Sequence, residues 1–289
     1  MRRRSPRFLA AMVLAVSVTT IAAQQEPAPA GRAGGPPAAP GGPPPGAPPA
    51  GGRQGVPPFG RAAGPPPPPR ASAPIDLTGL WVSIVDEDWR WRMVTAPKGD
   101  FPGVPLNPAG RQIAEAWDPA TDGSCRAFGA AGLLRMPTRV RVSWSDDTTL
   151  KLETDNGQQI RLLEFASRPA RAASLQGHST AEWKRTLPPT NPFGAFFGGG
   201  PPPPPGGSLK VVTTNLSGGW LRRNGVPYSA RATVTEYFDR FPAPDGAEWF
   251  VVTTTVDDPE YLITRFVTSS HFRREADASK WNPRPCKPV

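Results

Sequence analysis

Residues 139–165 read RVRVSWSDDTTLKLETDNGQQIRLLEF, and this stretch decides the fold. Val140, Val142 and Trp144 alternate with Arg139, Arg141 and Ser143. Asp146-Asp147 interrupts the run, and Leu150 and Leu152 then alternate with Lys151 and Glu153. Successive strand residues face opposite sides, so a period of two marks strands with one buried and one wet face. Asp155-Asn156-Gly157 is a strong hairpin signal, because Asn-Gly accepts the positive φ of a tight turn. Gln159–Phe165 is the returning strand.

The same period extends outward in both directions. Leu80–Val85 follows the turn-like Asp76-Leu77-Thr78-Gly79, and Asp88–Thr95 reads as a second, aromatic-rich strand. Thr180–Leu187, Leu209–Asn215, Ala230–Phe241, Trp249–Val256 and Leu262–Phe272 complete the set. One short helix is expected from Asn107-Pro108 to Trp117, a cap followed by Pro in the first turn, burying Ile113 and Trp117. The expectation is an all-β domain over 76–289. Open sheet edges invite mispairing, so closure into an antiparallel up-and-down barrel of about 8–10 strands is favoured, with a β-sandwich as runner-up.

The charge is not that of a nucleic-acid binder. The formal net charge is +9, but residues 1–75 hold eight Arg and one acid, whereas 76–289 hold 25 Lys+Arg against 23 Asp+Glu. A nucleic-acid surface concentrates basic residues on its folded domain, and here they are balanced and interleaved.

Residues 1–23 have the form of a secretory signal peptide. Arg2, Arg3, Arg4 and Arg7 precede the apolar run Phe8–Ala22, and Ile21-Ala22-Ala23 offers a cleavage site before Gln24. The expectation is export to the periplasm or extracellular space, with no transmembrane span in the mature chain. Residues 24–75 carry 18 Pro among many Gly and Ala. Such a segment cannot bury enough apolar surface to offset its ordering entropy, so it reads as a disordered tether. It would hold the domain off an envelope surface or dock a protein partner. Residues 188–207 read as a second disordered insertion of the same kind.

Cys125 and Cys286 are the only cysteines. In an oxidising compartment a pair is most simply a disulfide, and neither has a Cys or His at metal-ligand spacing. Closing a loop of about 160 residues is worth roughly 5 kcal/mol as an upper figure.

Thr78-Gly79-Leu80-Trp81 resembles the Gly-x-Trp opening of lipocalin-like barrels. The resemblance implies that Trp81 plugs one end of the barrel and that an Arg from a late strand, Arg265 or Arg273, packs over it. Gly177-His178-Ser179, Glu182-Trp183, Leu209-Lys210-Val211-Val212, Gly225-Val226-Pro227-Tyr228-Ser229, Glu236-Tyr237-Phe238 and Val256-Asp257-Asp258-Pro259 occur in that order. Together they resemble a large family of exported, uncharacterised bacterial β-rich proteins. That family implies a fold and an exported location but no particular chemistry, and it usually carries His where this chain has Tyr228.

The candidate catalytic residues are His178, at a strand entry, and Glu236, a carboxylate sharing a strand face with Val234 and Phe238. Such a carboxylate is costly unless paired or functional, so Glu236 is either an acid/base partner of His178 or half of a structural ion pair with an Arg. The candidate ligand-binding residues are Trp144, Trp183, Trp249, Tyr228 and Arg265, which suit an aromatic or apolar molecule in a barrel cavity. No phosphate loop or Gly-x-Ser-x-Gly elbow occurs, and no metal or other cofactor is expected. Asp257-Asp258-Pro259 is turn chemistry, and a haem-ligating role for His271 lacks a second cue. The expected function is therefore small-molecule binding. A cavity enzyme using His178 and Glu236, and a structural envelope protein without a ligand, are the alternatives.

Overall fold

Nine strands form a closed ring in a computed structural model that describes residues 65–122, 125–169, 171–186 and 206–287. The expected signal peptide, the tether up to residue 64 and the insertion from 188 to 205 lie outside the described residues. In chain order the strands are β1 (Gly79–Ile84), β2 (Arg139–Asp146), β3 (Thr149–Thr154), β4 (Asn156–Gly157), β5 (Ile160–Glu164), β6 (His178–Thr186), β7 (Gly206–Thr214), β8 (Gly219–Arg222), β9 (Val226–Tyr228), β10 (Thr233–Pro242), β11 (Glu248–Asp257), β12 (Phe266–Arg274) and β13 (Arg284–Pro285). The ring runs β1-β2-β3-β5-β6-β7-β10-β11-β12 and returns to β1, so each barrel strand neighbours the next one in sequence. The expected barrel is thus present, and the sandwich is not.

A ring of nine cannot alternate up and down throughout. One neighbouring pair must be parallel, and it is β5–β6, matched only at Leu163↔Ser179 and Glu164↔Thr180. The expectation of a wholly antiparallel barrel is corrected at this one seam. The chain crosses it through residues 165–177, too long a connection for a tight hairpin.

The inward faces are the ones the alternation marks. Trp81, Val140, Val142, Leu150, Leu152, Leu163, Leu209, Val211, Phe238, Phe250, Val252 and Phe272 are buried together. They fill the barrel with side chains, as is usual for a ring of about this size.

Both ends are covered. Segments between barrel strands build a cap at the end where β1 finishes: α1 (Trp89–Arg92), α2 (Pro108–Ala116), α3 (Ala130–Leu133) and the β8–β9 hairpin. Phe101, Leu106, Leu221, Val226, Tyr228 and Phe266 share one apolar cluster there, and Trp117, Phe128, Leu133 and Trp220 share another. Helix α2 starts as expected, with Asn107 Oδ1 accepting from the Gly110 amide at 2.9 Å. Asp88–Thr95 departs from expectation: its core is the helical turn α1, not a strand. The residue buried there is Arg92 rather than either Trp, so polar contacts override the period-two pattern. The β8–β9 hairpin is a further pair that alternation does not reveal, because all seven of its residues are buried.

The other end is covered by the last part of the proline-rich segment. Trp183 Nε1 donates to the Pro69 carbonyl at 2.9 Å, and Ile75 packs against the barrel core. Residues 65–75, expected to belong to the tether, therefore include contacts that pack on the barrel. Likewise Gly206 and Gly207, assigned to the insertion, begin β7.

Cys125 and Cys286 form the expected disulfide, with Cα atoms 5.7 Å apart. It ties the C-terminal tail to the cap, where Arg284–Pro285 pairs with Asn156–Gly157.

Candidate functional site

The residues picked from the sequence fall at four places. Trp144 and Trp183 meet at the barrel mouth beneath residues 65–78. His178, Glu236 and Tyr228 surround the β5–β6 seam. Trp249 is half-buried on β11, where Phe250 takes the inward position. Arg265 is exposed and pairs with Asp257 at 3.0 Å, so it does not cover Trp81.

The residue that covers Trp81 is Arg274, one position beyond the expected Arg273. Its guanidinium carbon lies 4.5 Å from the indole centroid, and Nη1 donates to the Thr78 carbonyl at 2.6 Å. Register explains the difference. Arg273 pairs across from Val82 and faces outward, whereas Arg274 pairs across from the inward Trp81.

At the mouth, Trp144, Phe165 and Trp183 form a continuous aromatic array. Trp144 and Phe165 stack with centroids 5.7 Å apart, Phe165 and Trp183 lie at 5.2 Å, and the two indoles are 6.5 Å apart. They are half-buried and pack on the barrel core. Trp144 and Trp183 line a cavity of ≈ 470 Å³ together with Leu150, Ile75, Arg70 and Arg240. The size and the mixture of aromatic walls with a few polar groups are those of a small-molecule site.

The seam gathers the candidate acid/base residues differently from expectation. Glu236 does not meet His178. It is fully buried and takes a two-pronged contact from Arg161, with Nη1–Oε1 at 3.0 Å and Nη2–Oε2 at 2.6 Å. Thr213 Oγ1 accepts from Arg161 Nη2 at 3.1 Å and lies 2.7 Å from Ser179 Oγ. This is the structural ion pair that the sequence left as one of two options.

His178 sits on the opposite strand face from Ser179, with Nδ1 3.5 Å from Glu164 Oε2. Glu164 is 1% exposed and is also approached by Arg168 and Arg171. His178, Arg161, Ser179, Gln176 and Arg171 line a pocket of ≈ 380 Å³. Four buried polar groups around the seam have no hydrogen-bond partner among the described residues: Arg161 Nε, Glu164 Oε2, Gln176 Oε1 and the Tyr228 hydroxyl. Burial pushes the Tyr228 hydroxyl well above the ordinary tyrosine range, so it is a neutral donor at all physiological pH.

Arg161, Glu164 and Phe165 were absent from the sequence-based set. Arg161 was legible in principle, since it shares the inward face of β5 with Leu163. Glu164 was not, because its partners arrive from the seam crossing and from β6.

Comparison with known protein families, with curated proteins and with solved structures finds no match to this chain, so its chemistry rests on its own residues.

Proposed function

We propose that this is an exported binding protein that holds a small aromatic or apolar molecule at the barrel mouth, against Trp144, Phe165 and Trp183. The observation that carries the reading is the three-ring aromatic array bordering a ≈ 470 Å³ cavity at the end of the barrel. The proposed site is thus at the end of the barrel rather than among the buried side chains of its interior. Arg70 and Arg240 on the cavity wall are paired with Asp147 and Glu248, and Asp76 lines the same cavity, so the polar part of the wall carries both signs of charge. Export is supported by the Cys125–Cys286 disulfide, which persists in oxidising compartments, and no helix among the described residues is long and apolar enough to cross a membrane.

The test is a titration with the aromatic anion 1-anilinonaphthalene-8-sulfonate, read by probe emission and by quenching of protein tryptophan. Saturable one-to-one binding that Trp183→Ala weakens at least about tenfold is expected, since an aromatic contact of this kind contributes about 1.4 kcal/mol or more. Binding that is non-saturable, or unchanged in both Trp183→Ala and Trp144→Ala, rejects the mouth as the site.

A second reading is acid–base chemistry at the seam, favoured by the 3.5 Å approach of His178 to the buried Glu164 beside a pocket that Arg161, Arg171, Gln176 and Ser179 also line. A carboxylate at this distance acts on the imidazole through charge, without a hydrogen bond. Turnover of any substrate found for this protein should then vanish in His178→Gln while aromatic binding at the mouth persists.

A further inference from the structure

Four arginines converge on the single helical turn α1. Arg92 is 1% exposed, and Arg135 and Arg222 are 5% exposed each. Arg92 Nε donates to the Arg135 carbonyl at 2.8 Å, and its Nη1 meets Glu87. Arg135 Nη2 donates to Asp88 Oδ2 at 2.9 Å. Arg223 Nη2 donates to the Arg92 carbonyl at 2.8 Å. Arg222 lies over the Trp91 ring, 4.5 Å from its centroid, and makes no ion pair among the described residues. The nearby Asp100 is taken by Arg90 at 2.6 Å.

These groups leave an excess of donors. Arg92 Nη2, Arg135 Nη1, Arg222 Nε and Nη1, Arg223 Nε and Trp91 Nε1 are all shut off from solvent with no hydrogen-bond partner. An unsatisfied buried donor costs about 1–3 kcal/mol, and an unpaired buried charge several kcal/mol. Two of these donors belong to α1 itself, and the other four reach it from residues 135, 222 and 223. The charge is unbalanced too. Against four guanidinium groups, two carboxylates stand in contact, Glu87 and Asp88, and Glu87 is shared with His271 at 3.1 Å. Burial and the neighbouring Arg135 hold the Arg222 pKa down to about 10, against the opposing pull of Asp88 and Asp100.

We propose that this knot is a binding site for a doubly charged tetrahedral oxyanion: free phosphate or sulfate, or the phosphoryl or sulfuryl group of a larger molecule. A dianion adds negative charge where guanidinium groups outnumber the carboxylates in direct contact, and offers several acceptor oxygens to donors that now have none. The planar guanidinium fork matches such oxyanions, and Trp91 Nε1 adds a neutral donor beside them. One turn of helix separates the knot from solvent, and that turn presents Trp89, 62% exposed, on its outer side.

The test is isothermal titration of the full-length protein with sodium phosphate, sodium sulfate, phenyl phosphate, sodium chloride and sodium succinate at pH 7.5 and constant ionic strength. Saturable one-to-one binding of phosphate or sulfate is expected, with chloride and succinate at least about tenfold weaker. Arg222→Met should weaken phosphate at least about tenfold and leave 1-anilinonaphthalene-8-sulfonate binding at the mouth unchanged. Phenyl phosphate binding more tightly than phosphate assigns the site to a phosphoryl ester, and equal or weaker binding assigns it to the free anion. The proposal is overturned if the wild-type protein binds neither phosphate nor sulfate, if succinate binds more tightly than both, or if a folded Arg222→Met binds phosphate like the wild type. Should Arg222→Met not fold, Arg222→Lys and the wild-type titration decide the matter, since the lysine variant loses the two orphan nitrogens but keeps the charge.

Discussion

Arg161 and Glu236 face each other across the closed interior of the barrel, in a two-pronged contact of 3.0 and 2.6 Å, with both side chains completely buried. The residues come from β5 and β10, which are separated in the ring by β6 and β7. The pair therefore bridges the barrel wall to wall beneath the cap. Removing one partner strands a charge in a low-dielectric core, whereas removing both does not. Glu236→Gln should lower the unfolding free energy by about 3–5 kcal/mol in urea titrations. Arg161→Met combined with Glu236→Leu should recover most of that loss. A double variant as unstable as the single one would mean that the pair positions something beyond itself.

Gly79 is required by its neighbour and by its backbone. Its φ is 123°, and a Cβ built there would lie 1.8 Å from Arg274 Nη1. Gly79→Ala must either displace the arginine from Trp81 or strain the chain. It should cost about 1–3 kcal/mol and change the near-ultraviolet circular dichroism of the packed indole. An unchanged spectrum and stability would show that Arg274 is not held over Trp81.

The Cys125–Cys286 bridge spans 161 residues and anchors a tail that is also held by the pairing of Arg284–Pro285 with Asn156–Gly157 and by Trp281, lying 4.2 Å from the Arg141 guanidinium. Replacing both cysteines by Ser should cost about 2–5 kcal/mol. The cap clusters, which include both cysteines at their edge, should become more accessible to protease before the barrel does. Loss of barrel and cap in one step would place the tail in the common core instead.

Acid should destabilise the fold before base does. The hydrogen bond from Arg274 at 2.8 Å, with Arg240 close by, holds the Glu248 carboxyl below its usual range. Glu182 is held low by Lys184 and Lys210, and Glu275 by the Asp277 amide and by Lys280. A carboxylate with a lowered folded pKa stabilises the protein above its unfolded pKa, and this stabilisation is lost as pH falls through the folded value. Thermal midpoints should hold from pH 7 to about 5 and fall below about 4.5, the unfolded carboxylate range. Glu248→Gln should be less stable at pH 7 and show a shallower fall. Each group is solvated, so the individual effects are small.

The sequence by itself determined the local and periodic features. Alternation in 139–165 marks β2, β3 and β5 and the inward Val140, Val142, Leu150, Leu152 and Leu163, because period-two burial is a property of each strand alone. The number of strands and the need to hide their edges lead from there to a closed ring. Asn107-Pro108 places the start of α2 for the same local reason. Tertiary structure alone decided what depends on register and on packing between distant segments. The parallel seam follows from the parity of nine strands. Arg274 rather than Arg273 covers Trp81 because a shift of one residue changes the face. Glu236 is given to Arg161, and His178 to Glu164, by strands brought together only on closure. The four-arginine knot joins residues 92, 135, 222 and 223 through coil and cap segments with no repeating pattern, so no period in the chain could announce it.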